Sequence, residues 1–196
     1  MQRRTALSWL TGALGAASAA VVAAPGVRYA MAALAHSGEA KARSVRLTPV
    51  ANLTPGEARL IPVTGVQVDA WQTSAEQVLG KVWVLRTDAG DDPAKAEITV
   101  LSAECPHAGC EVGVQAAKGA GPNVAPQEFY CGCHQARFEL PSGDRLPGDG
   151  GQENPSLRGL DPIDHRIVQD ADTGEPWLEV DFQRFEIGSA ERTAKG

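Results

Sequence analysis

Two short stretches of the sequence hold all four cysteines and two of the four histidines. The first, Cys105–Cys110, reads C-P-H-A-G-C, and the second, Cys131–His134, reads C-G-C-H. A C-x-H pair and a C-x-x-H pair can together supply two thiolates and two imidazoles. That donor set fits a [2Fe-2S] centre in which Cys binds one iron and His the other, and it also suits tetrahedral zinc. The concentration of these residue types predicts a metal cofactor.

The spacing within the two motifs indicates how their side chains could reach one centre. Cys105 and His107 are two residues apart, so in an extended segment both side chains point to the same side. Cys131 and His134 are three residues apart, a turn-like spacing that presents both side chains to one centre while Cys133 points elsewhere. From spacing alone, Cys131 and Cys133 could exchange roles.

The two motifs resemble C-x-H-x-G-C and C-x-C-H, the cluster-binding motifs of the Rieske iron-sulfur proteins in quinol-oxidising cytochrome bc complexes. The resemblance is strong over residues 104–139 and weaker in the flanking segments. It implies one [2Fe-2S] cluster with four ligands, namely Cys105, His107, Cys131 and His134. It further implies a disulfide between the two remaining cysteines, Cys110 and Cys133, which would join the two ligand-bearing loops.

Three other interpretations of the motifs were open. Zinc could use the same donors, although zinc sites usually lack the extra cysteines. Two structural disulfides would account for the even cysteine count, but they leave the C-x-H and C-x-x-H spacing unexplained. Rieske modules of the ferredoxin and ring-hydroxylating oxygenase types lack the second cysteine pair, which Cys110 and Cys133 would provide here.

The N-terminal segment places Arg3 and Arg4 before an uncharged apolar run at residues 5–24. This is the form of a twin-arginine export signal, which suits a protein that acquires its cofactor before export. The run matches the roughly 20 residues that a bilayer crossing needs. We therefore predict that residues 1–35 are a signal and transmembrane anchor in a bacterial cytoplasmic membrane, with the N-terminus cytoplasmic and the rest outside. Cleavage after Ala35 is the alternative.

The chain that follows the anchor is predicted to contain a tether and one globular domain. Residues 36–46 are small and polar, which is typical of a flexible tether, and residues 47–196 suffice for one domain. A short helix is predicted near Ser74–Gly80, and the segment Val112–Phe129 is predicted to be an exposed loop. Short β-branched or aromatic runs predict an all-β, antiparallel domain, with strands at 60–68, 81–87, 97–102, 165–169 and 177–182.

The family resemblance implies a more specific architecture than the strand pattern does. The Rieske fold is an antiparallel β base domain with an inserted cluster-binding subdomain, which corresponds here to residues 103–160. In the family a proline-containing loop covers the cluster, and Asn154–Pro155 would be its remnant.

The resemblance also implies a function. In the family, the exposed histidine of the second motif contacts the quinol hydroxyl; here this is His134, which would accept the proton. The implied partners are quinol, a cytochrome b subunit and a cytochrome c-type acceptor. The formal net charge of −6 argues against nucleic-acid binding. A second hypothesis is the small Rieske subunit of a periplasmic oxidase such as arsenite oxidase, in which the cluster only relays electrons.

Two positions after the second motif bear on the reduction potential. High-potential family members carry Ser and Tyr there, whose hydroxyls donate hydrogen bonds to the cluster region. At the same offsets this sequence has Ala136 and Phe138. Because the missing donors would leave the negative charge of a reduced cluster less stabilised, we predict a low-potential centre. Such a centre would work with menaquinol rather than ubiquinol.

Overall fold

A computed structural model describes residues 2–35, 43–68, 73–116 and 127–195 of the chain. The chain separates into two compact units, one containing a long N-terminal helix and the other containing all the β-sheets. The predicted tether, 36–46, includes the point in the sequence at which the two units divide. Residues 36–42 lie outside the described residues, and residues 43–46 belong to the first strand of the β domain.

The N-terminal helix, α1, extends over Gln2–Ala35 and has Pro25 within it. Its 34 residues correspond to about 50 Å at about 1.5 Å per residue. Hydroxyl groups in the apolar sequence donate back to backbone carbonyls one turn earlier, as in the 2.9 Å bond from Ser8 Oγ to Arg4 O. The part from Arg4 to Met31 is long and apolar enough to cross a membrane, and a signal sequence near the N-terminus would have the same properties.

The β domain contains three antiparallel three-stranded sheets. The first sheet has the order β1-β9-β8, with β1 at Arg43–Pro49, β8 at His165–Gln169 and β9 at Pro176–Phe182. The second has the order β2-β3-β4, with β2 at Ala58–Val68, β3 at Thr73–Arg86 and β4 at Ile98–Ser102. The third has the order β5-β6-β7, with β5 at Gly113–Ala116, β6 at Gln127–Cys131 and β7 at Ala136–Glu139. Single 3₁₀ turns occur at Val50–Asn52, Pro93–Lys95 and Asp149–Gly151.

The first two sheets enclose one hydrophobic core. Strand β9 shows the period of two that a half-buried strand requires, because Leu178, Val180 and Phe182 are buried while the residues between them are partly exposed. These side chains pack with buried valines of the second sheet, including Val82 and Val84 of β3. This core forms the base of the domain.

A second core lies under the third sheet and contains the proposed cysteine ligands. Buried residues of β6 and β7, Phe129 and Phe138, pack here with Leu101 from the end of β4. Trp83 of β3 joins the two regions: its ring centroid lies 5.6 Å from that of Phe129, and its Nε1 donates to Val112 O at 2.8 Å. Through Trp83, the second sheet therefore supports the third sheet, next to which both motifs lie.

The all-β antiparallel class, the long N-terminal helix and the five predicted strands are confirmed. The short helix predicted near Ser74–Gly80 is wrong. These residues belong to β3, where four of them pair with β2 around two register shifts, and this pairing overrides a weak local preference. The loop predicted at Val112–Phe129 is wrong at both ends, where β5 and β6 pair. Its centre, 117–126, lies outside the described residues.

Candidate metal centre

The first motif forms a compact loop directly after β4. Cys105 N donates to Cys110 O, and Gly109 N donates to Cys105 O, both at 2.8 Å. Gly109 has a φ of +78°, in the left-handed region that favours glycine. A Cβ at this position would lie only 3.3 Å from Glu104 Oε1. Glycine therefore allows the chain to close around Cys105, whose side chain is buried.

The second motif forms the turn between β6 and β7. Cys131 ends β6 and pairs in register with Ala136, the first residue of β7, and both are buried. The intervening residues, including Cys133 and His134, are exposed. Gln135 closes the turn with a φ of +62°. The hairpin thus directs one cysteine inwards and one histidine towards solvent.

A disulfide joins the two loops. Cys110 and Cys133 are bonded, with 6.6 Å between their Cα atoms and a sequence separation of 23. Cys131 and Cys105 are the free cysteines, and both are buried. Spacing alone left Cys131 and Cys133 interchangeable, and the structure assigns Cys133 to the disulfide. The Cys131 sulfur lies within 4.8 Å of both bonded sulfurs, so the disulfide borders the candidate centre.

The two histidine rings lie side by side at this site. The ring centroids of His107 and His134 are 4.7 Å apart with nearly perpendicular planes. His107 is half-buried and His134 is exposed. Among the described residues, His107 Nδ1 is the one buried side-chain nitrogen or oxygen without a hydrogen-bond partner. A buried polar atom without a partner is costly, so Nδ1 is well placed to bind a metal.

The arrangement of the four donors fits a [2Fe-2S] cluster in three respects. Two buried thiols face inwards, two adjacent imidazoles lie nearer the surface, and an orphan ring nitrogen needs a partner. Burial raises the pKa of the Cys105 thiol to about 11, while the backbone N–H groups of His107 and Ala108 act in the opposite direction. Bound iron deprotonates coordinating thiols, and these N–H groups would then stabilise the thiolate.

Ala136 and Phe138 lie in the second core, on the same face of β7. Both are fully buried, and Cys105 and Cys131 belong to the same cluster of buried side chains. The side chains at the two predicted tuning positions are therefore inside the domain, on the cysteine side of the site. Neither carries a hydroxyl that could donate to sulfur.

A buried ion pair in the third sheet was not predicted from the sequence. Arg137 of β7 donates through Nη2 to Glu128 Oε2 at 2.6 Å, and Gln115 Nε2 donates to the other oxygen at 2.8 Å. Burial alone would raise the Glu128 pKa, but these hydrogen bonds hold it below its usual value. Strands β5–β7 are too short and too irregular in pattern for the sequence to have placed these residues together.

Asn154 fixes the segment that follows the third sheet. Its Nδ2 donates to Arg137 O at 2.6 Å and to Leu146 O at 2.8 Å, and its Oδ1 accepts from Ser156 N at 3.0 Å. The residue is buried, so these bonds satisfy every part of its amide. The Asn154–Pro155 pair, noted in the sequence as a loop remnant, is anchored to β7 through this amide.

Both motifs lie within a part of the chain that matches a known family of protein domains. The family model of the Rieske [2Fe-2S] domain matches residues 45–150. The match covers more than half of the 196 residues, and it includes both cysteine and histidine motifs. No curated protein matches the chain.

Proposed function

Since the chain belongs to the Rieske [2Fe-2S] domain family, we propose that it is the iron-sulfur subunit of a quinol-oxidising cytochrome bc complex. Its domain binds a [2Fe-2S] cluster and serves electron transfer as part of an oxidoreductase. In our proposal the electron donor is a membrane quinol, specifically menaquinol, and the acceptor is a cytochrome c-type protein. Catalysis requires the assembled complex.

Four residues hold the cluster in this proposal: Cys105, His107, Cys131 and His134. When bound, such a centre supplies one-electron transfer at a potential set by its ligands and by hydrogen bonds to its sulfurs. The two cysteines are each only 1% exposed, so they can bind iron from within the second core. The disulfide between Cys110 and Cys133 keeps the two ligand loops together.

The difference in exposure between the two kinds of ligand is the observation that carries the proposal. His134 is exposed and His107 half-buried, whereas both cysteine ligands are buried. A redox partner can therefore touch an imidazole but not a thiolate. Quinol must lose a proton together with each electron, so its partner needs an exposed base. With its iron-free ring nitrogen deprotonated, His134 would accept the quinol hydrogen bond, and then the proton, at that nitrogen.

Helix α1 supports a membrane location for the complex. Its length and composition allow it to cross a bilayer, and Arg3 and Arg4 at its start favour a cytoplasmic N-terminus. The β domain would then lie on the outer side, where an oxidising environment maintains the disulfide. A cytochrome b subunit in the same membrane would be its neighbour.

The same helix also supports a second candidate function. An apolar helix near the N-terminus is equally compatible with a cleaved signal sequence. A soluble product would suit the small Rieske subunit of a periplasmic oxidase such as arsenite oxidase. In that case no quinol would meet His134, and the protein would only relay electrons.

Purification of the native protein from membranes distinguishes the two functions. We expect the full chain, with α1 retained by intact mass, to co-purify with a di-haem cytochrome b and to support quinol-dependent reduction of a cytochrome c. A His134→Ala variant of the complex should lose this activity, whereas His165→Ala, which changes an exposed histidine of β8, should keep it. A chain shortened after Ala35 that co-purifies with a soluble oxidase would contradict the proposal.

A further inference from the structure

Arg158 makes a buried ion pair that the proposed function leaves unexplained. Its Nε and Nη2 donate to Asp161 Oδ1 and Oδ2, both at 2.8 Å. The side chains are only 9% and 5% exposed, respectively. Asp161 is itself fixed, because its backbone oxygen accepts from Ser102 N at 2.8 Å, where β4 ends and the first ligand loop begins. Burying two charges is costly, so the pair requires a structural or functional reason.

The other hydrogen bonds of Arg158 go to the end of the chain. Its Nη2 also donates to Glu186 O at 2.7 Å, and its Nη1 donates to Ser189 O. We call residues 184–195 the C-terminal segment. This segment folds back on itself, since Glu186 N donates to Thr193 O at 2.8 Å. One guanidinium group therefore connects a buried carboxylate to two carbonyls of the C-terminal segment.

The C-terminal segment in turn contacts the first ligand loop. Gly188 N donates to Pro106 O at 2.8 Å, and Pro106 is the residue between the two proposed ligands of the first motif. Arg184 donates through Nη2 and Nε to the two carboxylate oxygens of Glu104, at 2.7 and 3.2 Å. Glu104 immediately precedes the first ligand. The C-terminal segment thus holds the first ligand loop through the residues immediately before and after Cys105.

We propose that Arg158 is a positioning residue, which holds the ligand loop at Cys105 and His107 in place through the C-terminal segment. The proposal rests on the ligand set of the proposed function. Two effects follow from the geometry. The hydrogen bonds restrict opening of the loop and so slow the loss of iron, and the guanidinium neutralises the Asp161 carboxylate, which would otherwise disfavour negative charge at the centre.

The electrostatics of the site agree with this role. The pKa of Arg158 is raised, first by its hydrogen bonds to Asp161, so the guanidinium stays charged and neutralises that carboxylate. Without the guanidinium, the buried Asp161 carboxylate would be left unneutralised beside the end of β4, and a negative charge there disfavours the reduced, more negative form of the centre. Loss of the guanidinium charge should lower the midpoint potential, whereas loss of the hydrogen bonds alone should mainly speed iron release.

Three variants of the full chain in detergent separate these effects. Arg158→Gln removes the charge and the fork geometry, and Arg158→Lys keeps the charge but cannot reproduce the forked bonds. Arg166→Gln is the matched control, because Arg166 also pairs with two carboxylates, Glu179 and Asp181, but on the exposed side of the base. The readouts are the rate of iron transfer to a chelator, the midpoint potential and the thermal unfolding midpoint.

We expect Arg158→Gln to release iron at least about tenfold faster than the unmodified chain, the factor expected for loss of one charge-assisted hydrogen bond of ordinary strength. Its potential should also fall. Arg158→Lys should release iron faster while its potential stays closer to that of the unmodified chain, and Arg166→Gln should change neither. If Arg158→Gln fails to fold, Arg158→Lys and Arg184→Gln, which cuts only the exposed link to Glu104, should still release iron faster.

Two results would overturn the inference. One is iron release from both Arg158 variants at the rate of the Arg166→Gln control. The other is an unchanged potential in Arg158→Gln with iron release that follows only its unfolding temperature, which would indicate a merely structural pair. Absence of a [2Fe-2S] absorption spectrum in the unmodified chain would instead reject the ligand assignment itself, and with it this inference.

Discussion

Replacing Ala136 with serine should raise the midpoint potential of the centre. Ala136 and Cys131 are directly opposite each other in the β6–β7 hairpin, and both side chains are buried in the second core. Directly opposed residues of an antiparallel pair have Cβ atoms about 4.5–5.5 Å apart. A hydroxyl on residue 136 would therefore lie within hydrogen-bonding reach of the Cys131 sulfur, and the Ala136 side chain has none.

The size of the effect follows from the strength of such a bond. A hydrogen bond to a charged acceptor contributes about 1.5–3 kcal/mol. Only the difference between the reduced and oxidised states changes the potential. If that difference is about 1.4 kcal/mol, the midpoint of a one-electron couple rises by about 60 mV. We therefore expect Ala136→Ser to shift the potential upwards by this order.

A redox titration of the full chain, followed by circular dichroism of the cluster, measures this shift. Ala136→Gly is the control, because it changes packing at the same site without adding a donor. An Ala136→Ser midpoint equal to that of the unmodified chain, or an equal rise in Ala136→Gly, would refute the reasoning. A midpoint of the unmodified chain in the range of ubiquinol-oxidising enzymes would refute the prediction of a low-potential centre.

Three further outcomes follow from other parts of the domain. Cys133→Ala should lower the free energy of unfolding by about 3 kcal/mol on the chain-entropy view and speed bleaching of the cluster absorbance; a cluster that bleaches at the original rate would contradict this. The hydrogen bonds from Arg86, followed by backbone N–H groups, hold the pKa of Asp88 at about 2, below its usual 3.8, so the stabilisation from Asp88 is present above pH 3.8 and is lost as the pH falls towards 2. Asp88→Asn should therefore flatten the loss of stability between these pH values in urea titrations, and parallel curves for the two proteins would be inconsistent with it. Arg137→Met should leave the Glu128 carboxylate buried without its cation, at a cost of about 3–5 kcal/mol in chemical denaturation, and adding Glu128→Gln should recover part of that loss.

The sequence predicts this site well where the chemistry is local. All four proposed ligands lie in two motifs of six and four residues, so their spacing carries most of the information about which atoms could meet. The long strands are predictable for a similar reason, since alternation such as that of Leu178, Val180 and Phe182 reflects a single buried face. Strands β5 and β7 have only four residues each, too few for a period of two to be distinguished from chance.

Sequence patterns do not identify the buried charged groups of this domain. Glu128 and Arg158 belong to residue types that are normally exposed, and nothing local marks them as buried. Glu128 gains its cation, and Arg158 two of its carbonyl acceptors, from residues further along the chain. Glu128 meets Arg137 only when β6 and β7 form a hairpin, and Arg158 meets Ser189 only when the chain end folds back over 31 residues.

The exposure of the proposed imidazole ligands explains why so much of this domain holds the ligand loops. A partner can reach His134 only if the loop that carries it lies at the surface, and surface loops are the most mobile part of a fold. The rigidity that a metal site needs must then come from contacts that the ligand loops make away from their exposed face. Here the second core holds the cysteines, the disulfide joins the loops, and the C-terminal segment holds Pro106. A centre open to a redox partner on one face is therefore held by residues that lie away from that face.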